Sequence, residues 1–481
     1  MTFTVGSPVA VVASDAADQP ERTPELEALY RGFEREMLIP LWTEIGDLMP
    51  LSPRSKAVPH PWRWTALLPM AERAGELVPV GRGGERRAIA PANPGLGGRP
   101  FATPTPWPGP AVRDAHALAR AGRTVRVLER SPEFAEVGAG LQMAPNATSI
   151  LKEWGLLRQV LDAGVTPRRL LFKDALDGTD LTHLDLDDAF ETRFGAPYVA
   201  IHRGDLLDIL ARACLRAGVE LVPGCAVLDA VPGADGAVVH SSLGEHAAGL
   251  VVVADGLRSR LRARFSDDEP ICSGYVAYRG AFPIAELDRD LDAETARNVV
   301  VHIGPGCHLV RYPLRRGEIL NTVAVFRSPS YEPGAEDWGG PEELDAAFAD
   351  CGPAVHESLR SLWRDRRWPM YDRRPISRWT DGRLVLTGDA AHPMLQYLAQ
   401  GACQAIEDAY CLAAELGAQP DLAGALKSYE AERTVRTARV QDTARIWGDM
   451  WHLDGVGRLL RNELFRVRDP RDDTYVDWLY A

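Results

Sequence analysis

The spacing of apolar residues changes twice in the first quarter of the chain, and each change indicates a different kind of structure. Residues 1–23 are rich in small and acidic residues and are expected to form a flexible leader. From Pro24 onwards, apolar side chains recur at helical spacing, at Leu26, Leu29, Phe33 and Met37. Residues 50–110 are dense in proline and glycine, which favours short strands and turns over long helices. We therefore place a domain junction between Trp107 and Ala111.

Beyond this junction the apolar pattern predicts alternating helices and strands. A short Ala-rich helix ends at Gly122, and a strand follows at 124–128. The run 249–254 is apolar throughout, which is typical of a strand buried on both faces of a parallel sheet. This order of elements predicts an α/β fold.

Residues 272–368 follow a different pattern, in which apolar and polar positions alternate. The stretches "SGYVAYRGAF", "HLVRYPL" and "LNTVAVF" show it, and they predict a separate, largely antiparallel sheet. A strand at 383–389 and a helix at 401–416 then return to the first domain. The predicted organisation has six parts: a leader at 1–23, an N-terminal segment at 24–108, two parts of an α/β domain at 109–270 and 369–434, a β-sheet domain at 271–368, and a helical C-terminal region at 435–481.

The composition is that of an ordinary globular protein, with 46% hydrophobic and 25% charged residues. Its formal net charge of −13 argues against nucleic acid or an anionic membrane surface as a partner, so an anionic ligand needs local Arg or His groups. The seven cysteines include no C-x-x-C pair, which favours a reducing compartment over a disulfide framework or a metal site. Because we find no signal peptide and no apolar stretch of roughly 18 residues, we expect a cytoplasmic protein without a membrane span.

Two stretches carry polar residues where predicted strands end. Glu129 closes the first strand, and an acidic residue there can bind the two ribose hydroxyls of a nucleotide, although a lone Glu is more often a solvated strand end. In "VVVADGLRSRLR" a buried strand delivers Asp255 and Gly256 to a turn, and Ser259 and Arg262 follow on the next helical turn. Glycine permits close approach of the backbone, and arginine offers a fixed fork for phosphate. A plain D-G turn leaves the D-G-x-x-S-x-x-R spacing unexplained.

The third stretch is "LVLTGDAAHPMLQYLAQGACQAIEDA". A strand ends on Gly388 and Asp389, a loop containing Pro393 follows, and a helix starts near Gly401 and Ala402. The aspartate can accept hydrogen bonds from hydroxyl groups, and a helix N-terminus can hold negative charge. In the same stretch His392 is interpreted as a residue that braces the loop, and the two cysteines of the helix as core residues.

Residues from about 109 to 481 resemble the single-component flavin-dependent aromatic hydroxylases. The motifs that carry the resemblance are the Glu129-Arg130 strand end, "EVGAGLQMAPNA", "IHRGDL", the D-G turn and the G-D loop. The resemblance implies a Rossmann-like FAD-binding domain of the p-hydroxybenzoate hydroxylase type, joined to an antiparallel β-sheet domain that binds substrate. It implies FAD contacts by Glu129, Arg130, Gln142, Arg203, Asp255, Gly256, Gly388, Asp389, Pro393, Gly401 and Ala402.

The loop "HPMLQYLAQGACQAIEDA" favours the branch of this family that hydroxylates 3-hydroxybenzoate at carbon 6. The loop of the salicylate hydroxylases is more polar and richer in glycine. The resemblance implies NADH or NADPH as the reductant of FAD, O2 as the oxidant, a small aromatic acid as substrate, gentisate as product, and a homodimer. Two alternatives stay open: a decarboxylating hydroxylase of the salicylate type, and a truncated fusion without catalytic activity.

The residues that match the family's substrate site are His308, Tyr312 and Gln396. His308 and Tyr312 alternate onto one face of a predicted strand. A phenol becomes a far better nucleophile at its para carbon once it is deprotonated, and a histidine suits that proton transfer. The resemblance therefore implies that His308 is the base, that Gln396 orients the hydroxyl, and that Tyr312 holds or packs the substrate. A structural role for His308 is the alternative.

The segment ahead of Glu129 lacks the G-x-G-x-x-G turn that such a domain needs. Counting back about 20 residues, the usual distance, leads to Gly109. This glycine lies among prolines, which do not fit a central parallel strand. Residues 24–108 instead resemble the N-terminal part of the gentisate dioxygenases, a family of cupin enzymes, without their iron-binding histidines. We therefore predict that a foreign segment without a metal site replaces the first strand and the glycine turn.

An empty strand position would weaken FAD binding. Each buried unpaired ladder group costs about 1–3 kcal/mol, against a total stability of about 5–15 kcal/mol. In addition, Arg113 and Asp114 replace the small residues that let a helix meet a pyrophosphate. We expect the purified chain to carry little or no FAD. Its visible absorption spectrum tests this expectation, since a stoichiometric flavin band would contradict it.

Overall fold

Two β-sheets, one parallel and one mainly antiparallel, organise the described part of the chain. The computed structural model describes residues 77–81 (backbone only), 111–131, 140–287, 291–334 and 338–481. All of them belong to one compact unit, Leu68–Ala481. The predicted leader and the predicted helix from Pro24 lie outside the described residues, as does most of the predicted segment 24–108.

The first sheet, called the parallel sheet below, has six strands. Only the edge strand Thr380–Asp381 runs antiparallel to its neighbour. In spatial order the strands are Thr380–Asp381, Leu384–Leu386, Leu250–Ala254, Leu77–Gly81, Arg126–Glu129 and Glu220–Pro223. All five residues of Leu250–Ala254 are buried, as their continuous apolar character predicts.

The central position of the parallel sheet is filled, so the predicted gap there is wrong. Leu77–Gly81 pairs over five residues with Leu250–Ala254 and over two with Arg126–Glu129. A parallel ladder joins backbone groups, so a short extended segment from far upstream can complete it. Pro79 has no N–H, and the strand therefore lacks one ladder donor. That residues 24–108 as a whole are foreign stays a prediction.

The second sheet, called the seven-stranded sheet below, is antiparallel except where Val299–Gly304 pairs parallel to Arg169–Asp174. In spatial order its strands are Trp368–Asp372, Ile271–Pro283, Ile319–Arg327, Cys307–Leu314, Val299–Gly304, Arg169–Asp174 and Asp180–Asp185. Two smaller sheets consist of Val227–Pro232, Ala237–Ser241 and Gly244–Ala248, and of Gly140–Met143 with Val199–His202. The predicted fold class is confirmed, while the six predicted domain boundaries stay predictions.

Helices cover both sheets. They are Val112–Arg120, Pro145–Glu153, Leu157–Ala163, Asp188–Phe194, Arg203–Arg216, Pro341–Ala347, Pro353–Ser358, Gly401–Ala418, Leu422–Trp451, Gly455–Val467 and Asp477–Tyr480. Short 3-10 turns include Leu261–Arg264, Gly388–Ala390 and Gln396–Leu398. In the part of the chain that the structure describes, we find no helix with the length and apolar character that crossing a bilayer requires.

A buried ionic network joins helix 401–418 to helix 422–451. Arg433 is 1% exposed, and its Nε donates to Asp408 at 2.8 Å while its Nη1 donates to Glu407 at 2.5 Å. Its Nη2 donates to the backbone and side-chain oxygens of Gln404 at 3.0 and 2.8 Å. The whole fork of the guanidinium is therefore used inside the protein, which is how a buried arginine is tolerated.

Asp408 extends this network to the end of the parallel sheet. Its second oxygen accepts from the backbone N–H of Gly388 at 2.8 Å and lies 2.5 Å from Nε2 of His392. Burial alone would raise the pKa of Asp408, but His392 and Arg433 outweigh burial and hold that pKa well below its usual range. The carboxylate therefore stays ionised and fixes the loop that follows Leu384–Leu386.

We expect Asp408→Asn to lower the free energy of unfolding at pH 7 by up to about 3–5 kcal/mol, because the buried charge of Arg433 loses one of its two carboxylate partners and keeps only Glu407. The folded-state pKa of Asp408 lies below its unfolded value, so its contribution is present at neutral pH and is lost as the pH falls toward the folded value. Urea titrations at pH 7 and in acid measure both effects. Asp162→Asn is the matched control, since its pair with Arg158 is exposed and is worth about 0.5 kcal/mol at most. Equal stability of the two variants at pH 7 would contradict the expectation.

Candidate active site

The carboxyl ends of the parallel strands bring three of the sequence motifs to one edge. Glu129 ends its strand level with Gly81, and Gly81 is in turn level with Ala254, the residue before Asp255. The strand Leu384–Leu386 runs parallel to Leu250–Ala254, so the G-D loop leaves the sheet at the same edge. In open α/β sheets this edge is where ligands bind.

Glu129 is fully buried at this edge, whereas Arg130 is exposed. One carboxylate oxygen of Glu129 accepts from the backbone N–H of Ser131 at 2.8 Å, and its carbonyl accepts from Cys225 N–H at 2.8 Å. The strand end is therefore held in place. Arg203, another predicted contact, begins helix 203–216 and is half-buried.

The turn after Leu250–Ala254 depends on glycine. Gly256 has φ +82°, and its carbonyl accepts from Ser259 N–H at 2.9 Å. One carboxylate oxygen of Asp255 accepts from the backbone N–H of Arg260 at 3.1 Å. The D-G motif thus closes a compact turn at the strand end.

Arg262 does not serve phosphate, contrary to the interpretation of the sequence. Its Nε and Nη2 donate to the two oxygens of Asp268 at 2.9 and 3.0 Å. Its Nη1 donates to the carbonyls of Ala390 and Ala391 at 2.9 and 2.6 Å. The guanidinium is fully buried and therefore ties the D-G turn to the G-D loop. The sequence pattern did not reveal Asp268 as its partner.

The G-D loop combines a fixed backbone with one exposed carboxylate. Gly388 has φ +54°, and a Cβ there would collide with the guanidinium of Arg113. Asp389 is exposed, while His392 is fully buried against Asp408 in the bracing position that the sequence suggested. The carbonyl of Pro393 accepts from the side-chain amide of Gln441 at 3.0 Å.

Arg113 and Asp114 lie at the start of helix 112–120, beside this loop. Arg113 Nε donates to the carbonyl of Ala405 at 2.9 Å, and Asp114 accepts from the Thr387 hydroxyl at 3.0 Å. Asp114 is fully buried, and burial raises its pKa to about 6 although the neighbouring Arg113 lowers it. Where the family pattern has small residues, this chain therefore holds a titratable acid in its interior.

On the seven-stranded sheet, His308 and Tyr312 share one face of Cys307–Leu314, as their alternation predicts. Tyr312 is buried and hydrogen-bonded to the side chain of Gln142, whose Oε1 also accepts from the Tyr198 hydroxyl at 2.8 Å. A Cβ on Gly140 would lie 2.5 Å from the Tyr312 ring, so glycine is needed there. The predicted FAD contact Gln142 and the predicted substrate contact Tyr312 thus meet.

Arg279 is a residue of this face that the sequence analysis missed. It pairs with Val323, which in turn pairs with Val310, and its guanidinium lies over the Trp368 ring at 5.4 Å. Burial raises the pKa of Tyr312, and the positive charge of Arg279 partly offsets this rise, so the two side chains are near each other. An arginine at an inward position of "SGYVAYRGAF" was the available signal.

His308 is fully buried and does not stand alone. Its Nδ1 lies 2.8 Å from Nε2 of His452, and its ring centroid is 5.4 Å from that of Tyr397 and 5.0 Å from that of Trp451. Burial and His452 hold the pKa of His308 well below its usual value. Gln396 is half-buried and directly precedes Tyr397. The sequence analysis missed His452 and Tyr397.

Comparison with known proteins identifies the family. The sequence profile described as "FAD binding domain" matches residues 112–444. The 3-hydroxybenzoate 6-hydroxylase 1 of Aquipseudomonas alcaligenes is 38% identical over 377 residues, which cover 76% of this chain and 94% of the relative. The chain belongs to this FAD-binding family. It is an FAD-dependent aromatic monooxygenase with NADH or NADPH as co-substrate.

Two further relatives show the breadth of the family around this monooxygenase. The 3-amino-4-hydroxybenzoate 2-monooxygenase of Streptomyces cremeus is 38% identical over 363 residues, which cover 75% of this chain and 89% of the relative. A salicylate hydroxylase–substrate complex aligns with a TM-score of 0.64 at 23% identity, covering 84% of this chain and 95% of that one. The second likeness is one of fold.

Features at the start of helix 401–418 fit FAD in this monooxygenase. Helix 401–418 begins at Gly401, next to Ala402, and space beside the Gly401 Cα is open. Next to it, the Gln400 side chain is 1% exposed and its amide nitrogen has no hydrogen-bond partner among the described residues. A helix N-terminus and a free amide donor suit an electron-rich ring. In the described residues, no three His, Cys, Asp or Glu side chains group as a metal site.

We expect Asp114→Asn to stabilise the monooxygenase above pH 6 by up to about 3 kcal/mol, from a pKa rise of about two units. The folded-state pKa exceeds the unfolded one, so ionisation of Asp114 costs native stability as the pH rises from about 4 to about 6. Asparagine removes this cost. Urea titrations at pH 4 and pH 7.5 measure it, with exposed Asp162→Asn as control. An equal effect of Asp114→Asn at both pH values would rule the explanation out.

Proposed function

We propose that this monooxygenase hydroxylates 3-hydroxybenzoate at carbon 6 to give gentisate, with NADH or NADPH and O2. The observation that carries the proposal concerns one face of the strand Cys307–Leu314. His308 and Tyr312 both lie on this face, and Nε2 of His308 is buried without a hydrogen-bond partner among the described residues. The relatives named as 3-hydroxybenzoate 6-hydroxylases support the choice of substrate. Carbon 6 is para to the phenolic hydroxyl, so it is the position that deprotonation activates.

In this proposal His308 takes the phenolic proton. Its burial keeps the imidazole neutral, and a neutral imidazole can offer one nitrogen lone pair as a base. Gln396 orients the hydroxyl, and Tyr312 holds the substrate. Bound FAD, reduced by NADH or NADPH, supplies activated oxygen, and the residues of the chain position the ring that receives it.

Arg279 can provide the local positive charge that an anionic substrate needs in this negatively charged protein. A chain with a formal charge of −13 repels a benzoate, so the site needs a local cation. Arg279 lies near Tyr312 on the same face, with its guanidinium held over Trp368. We assign the substrate carboxylate to Arg279 and Tyr312, since an arginine fork matches a carboxylate.

The FAD contacts are proposed for the residues at the sheet edge. Glu129 and Arg130 hold the adenosine end, and the other contacts are assigned to Gln142, Arg203, Asp255, Gly256, Gly388, Asp389, Pro393, Gly401 and Ala402. The match to the family profile begins at residue 112, which agrees with the proposed junction near 107–111. FAD binding weakened by loss of the glycine turn remains part of the proposal, although the first strand is present.

The origin of the N-terminal segment, the compartment and the oligomeric state also remain proposals. The resemblance of residues 24–108 to gentisate dioxygenases fits the proposed product, because such an enzyme consumes gentisate. We propose a cytoplasmic homodimer that acts on a small aromatic acid. A decarboxylating hydroxylase of the salicylate type would form catechol from salicylate, and a truncated fusion would form no product. Chromatography of the products separates the three outcomes.

We expect His308→Ala to lower the rate of gentisate formation by about 10²–10⁴-fold, the usual contribution of a general base. NADH oxidation should continue with release of H2O2, because reduction of FAD does not need the phenolate. Product chromatography and oxygen consumption measure the coupling in enzyme loaded with FAD. His240→Ala on the exposed hairpin is the control and should behave as the parent. Unchanged coupled turnover in His308→Ala would remove this residue from the mechanism.

A further inference from the structure

The predicted base, His308, is the last of three aromatic rings in a row. Tyr275 lies nearly parallel to His452, with ring centroids 4.5 Å apart and planes 18° apart. His452 and His308 have planes 24° apart and centroids 5.0 Å apart, while Nδ1 of His308 lies 2.8 Å from Nε2 of His452. Such a short bond at that centroid distance means that the two imidazoles meet edge to edge. The ring of Tyr275 therefore stacks on the face of the His452 ring, and His452 forms a hydrogen bond with the edge of the His308 ring.

The hydrogen count of the pair leaves two arrangements. Burial lowers the pKa of both imidazoles, and the charge of Arg461 helps to bring that of His452 to about 3, so both rings are neutral at pH 7. Either His308 donates from Nδ1, or His452 donates from Nε2. In the first arrangement Nε2 of His308 is a bare acceptor, and in the second it carries a hydrogen.

The outer nitrogens of the pair are free for a further partner. Nε2 of His308 and Nδ1 of His452 are buried and have no hydrogen-bond partner among the described residues. His308 is 0% exposed and faces Tyr397 and Trp451. A buried polar atom without a partner is costly, so a substrate hydroxyl at Nε2 is a chemically suitable partner.

We propose that His452 is a positioning residue. Its Nε2 accepts a hydrogen bond from the Nδ1–H of His308, which leaves Nε2 of His308 without a hydrogen and therefore available as the base for the phenol. This inference rests on the proposed role of His308. In the step, the phenol O–H bond breaks, an N–H bond forms at Nε2, and the electron pair stays on the phenolate oxygen. The hydrogen bond from Nδ1 then becomes charge-assisted, and His452 remains neutral.

The backbone holds His452 where this role requires it. It follows helix 422–451 directly, and its N–H donates to the carbonyls of Gly448 and Asp449 at 3.2 Å each. Its carbonyl accepts from Gly306 N–H at 3.1 Å, in the turn that leads into the strand of His308. On the other side, a Cβ on Gly448 would collide with the Tyr397 ring. The end of the helix is therefore fixed to both sides of the site.

The test compares His452→Phe, which keeps an aromatic ring for Tyr275, with His452→Gln, which restores an oxygen acceptor. We expect kcat for coupled hydroxylation to fall at least about tenfold in His452→Phe, with KM changed less than about twofold, because the substrate contacts are untouched. His452→Gln should recover most of kcat. The absorption of bound 3-hydroxybenzoate gives a direct signature, since the phenolate band should appear at higher pH in His452→Phe than in the parent.

A measurement without substrate or turnover tests the hydrogen position itself. In protein with ¹⁵N-labelled histidine, NMR should show His308 protonated at Nδ1 in the parent and in His452→Gln, but not in His452→Phe. A parent His308 protonated at Nε2 overturns the inference. The inference is also overturned if His452→Phe shows the same coupled turnover as the parent while His308→Ala is uncoupled. In that case the proposed function stands. If neither His308→Ala nor His452→Phe affects the coupling of NADH oxidation to hydroxylation, the proposal that His308 is the base is itself wrong.

Discussion

The buried pairing of Arg433 with Asp408 is the interaction on which the arrangement of the loop after Leu384–Leu386, at the carboxyl-end edge of the parallel sheet, depends. Two charges with almost no exposure are tolerated because all three nitrogens of the guanidinium and both oxygens of the carboxylate have partners. Those partners belong to helix 401–418, to helix 422–451 and to the loop after Leu384–Leu386. This ionic contact therefore links three elements at one point, and the pair of Arg436 with Glu407 and the hydrogen bond from Gln441 to the Pro393 carbonyl add to it.

Helix 422–451 carries this constraint to the other sheet. From Arg433 to His452 are 19 residues, which span about 28 Å at the usual rise of an α-helix. At Arg433 the helix is linked through Asp408 to the loop after Leu384–Leu386, and its C-terminal end brings His452 to the face of the seven-stranded sheet that holds His308. The carboxyl-end edge of the parallel sheet and the proposed base are thereby connected through one continuous helix.

The features that could be predicted from the sequence are those that depend on the local periodicity of apolar residues. The buried run Leu250–Ala254 and the shared face of His308 and Tyr312 follow from apolar patterns and strand alternation, and both are present. These features could be predicted because each depends on residues that lie close together in the sequence. Arg279 lies on the same face as His308 and Tyr312, but no prediction was made about it from the sequence.

Pairings across long separations could not be predicted in the same way. His308 and His452 are 144 positions apart, and either residue alone has the pattern of a structural histidine. Arg262 has a separation of only six residues from Asp268, but its choice of carboxylate over phosphate depends on how the chain turns after Ser259. Short strands were expected within residues 50–110, but the backbone pairing of Leu77–Gly81 with Leu250–Ala254 joins segments more than 160 residues apart, and local periodicity does not specify such a pairing.

The close approach of Gly448 to Tyr397 has a consequence for how the site exchanges molecules. Because not even a methyl group fits between them, the turn beside Gln396 has no freedom to swing toward the helix. If the turn moves when molecules enter or leave the site, it therefore has to move away from the helix. Gln396, the proposed contact to the substrate hydroxyl, directly precedes Tyr397 in this turn, so the same close approach limits how near Gln396 can come to the helix.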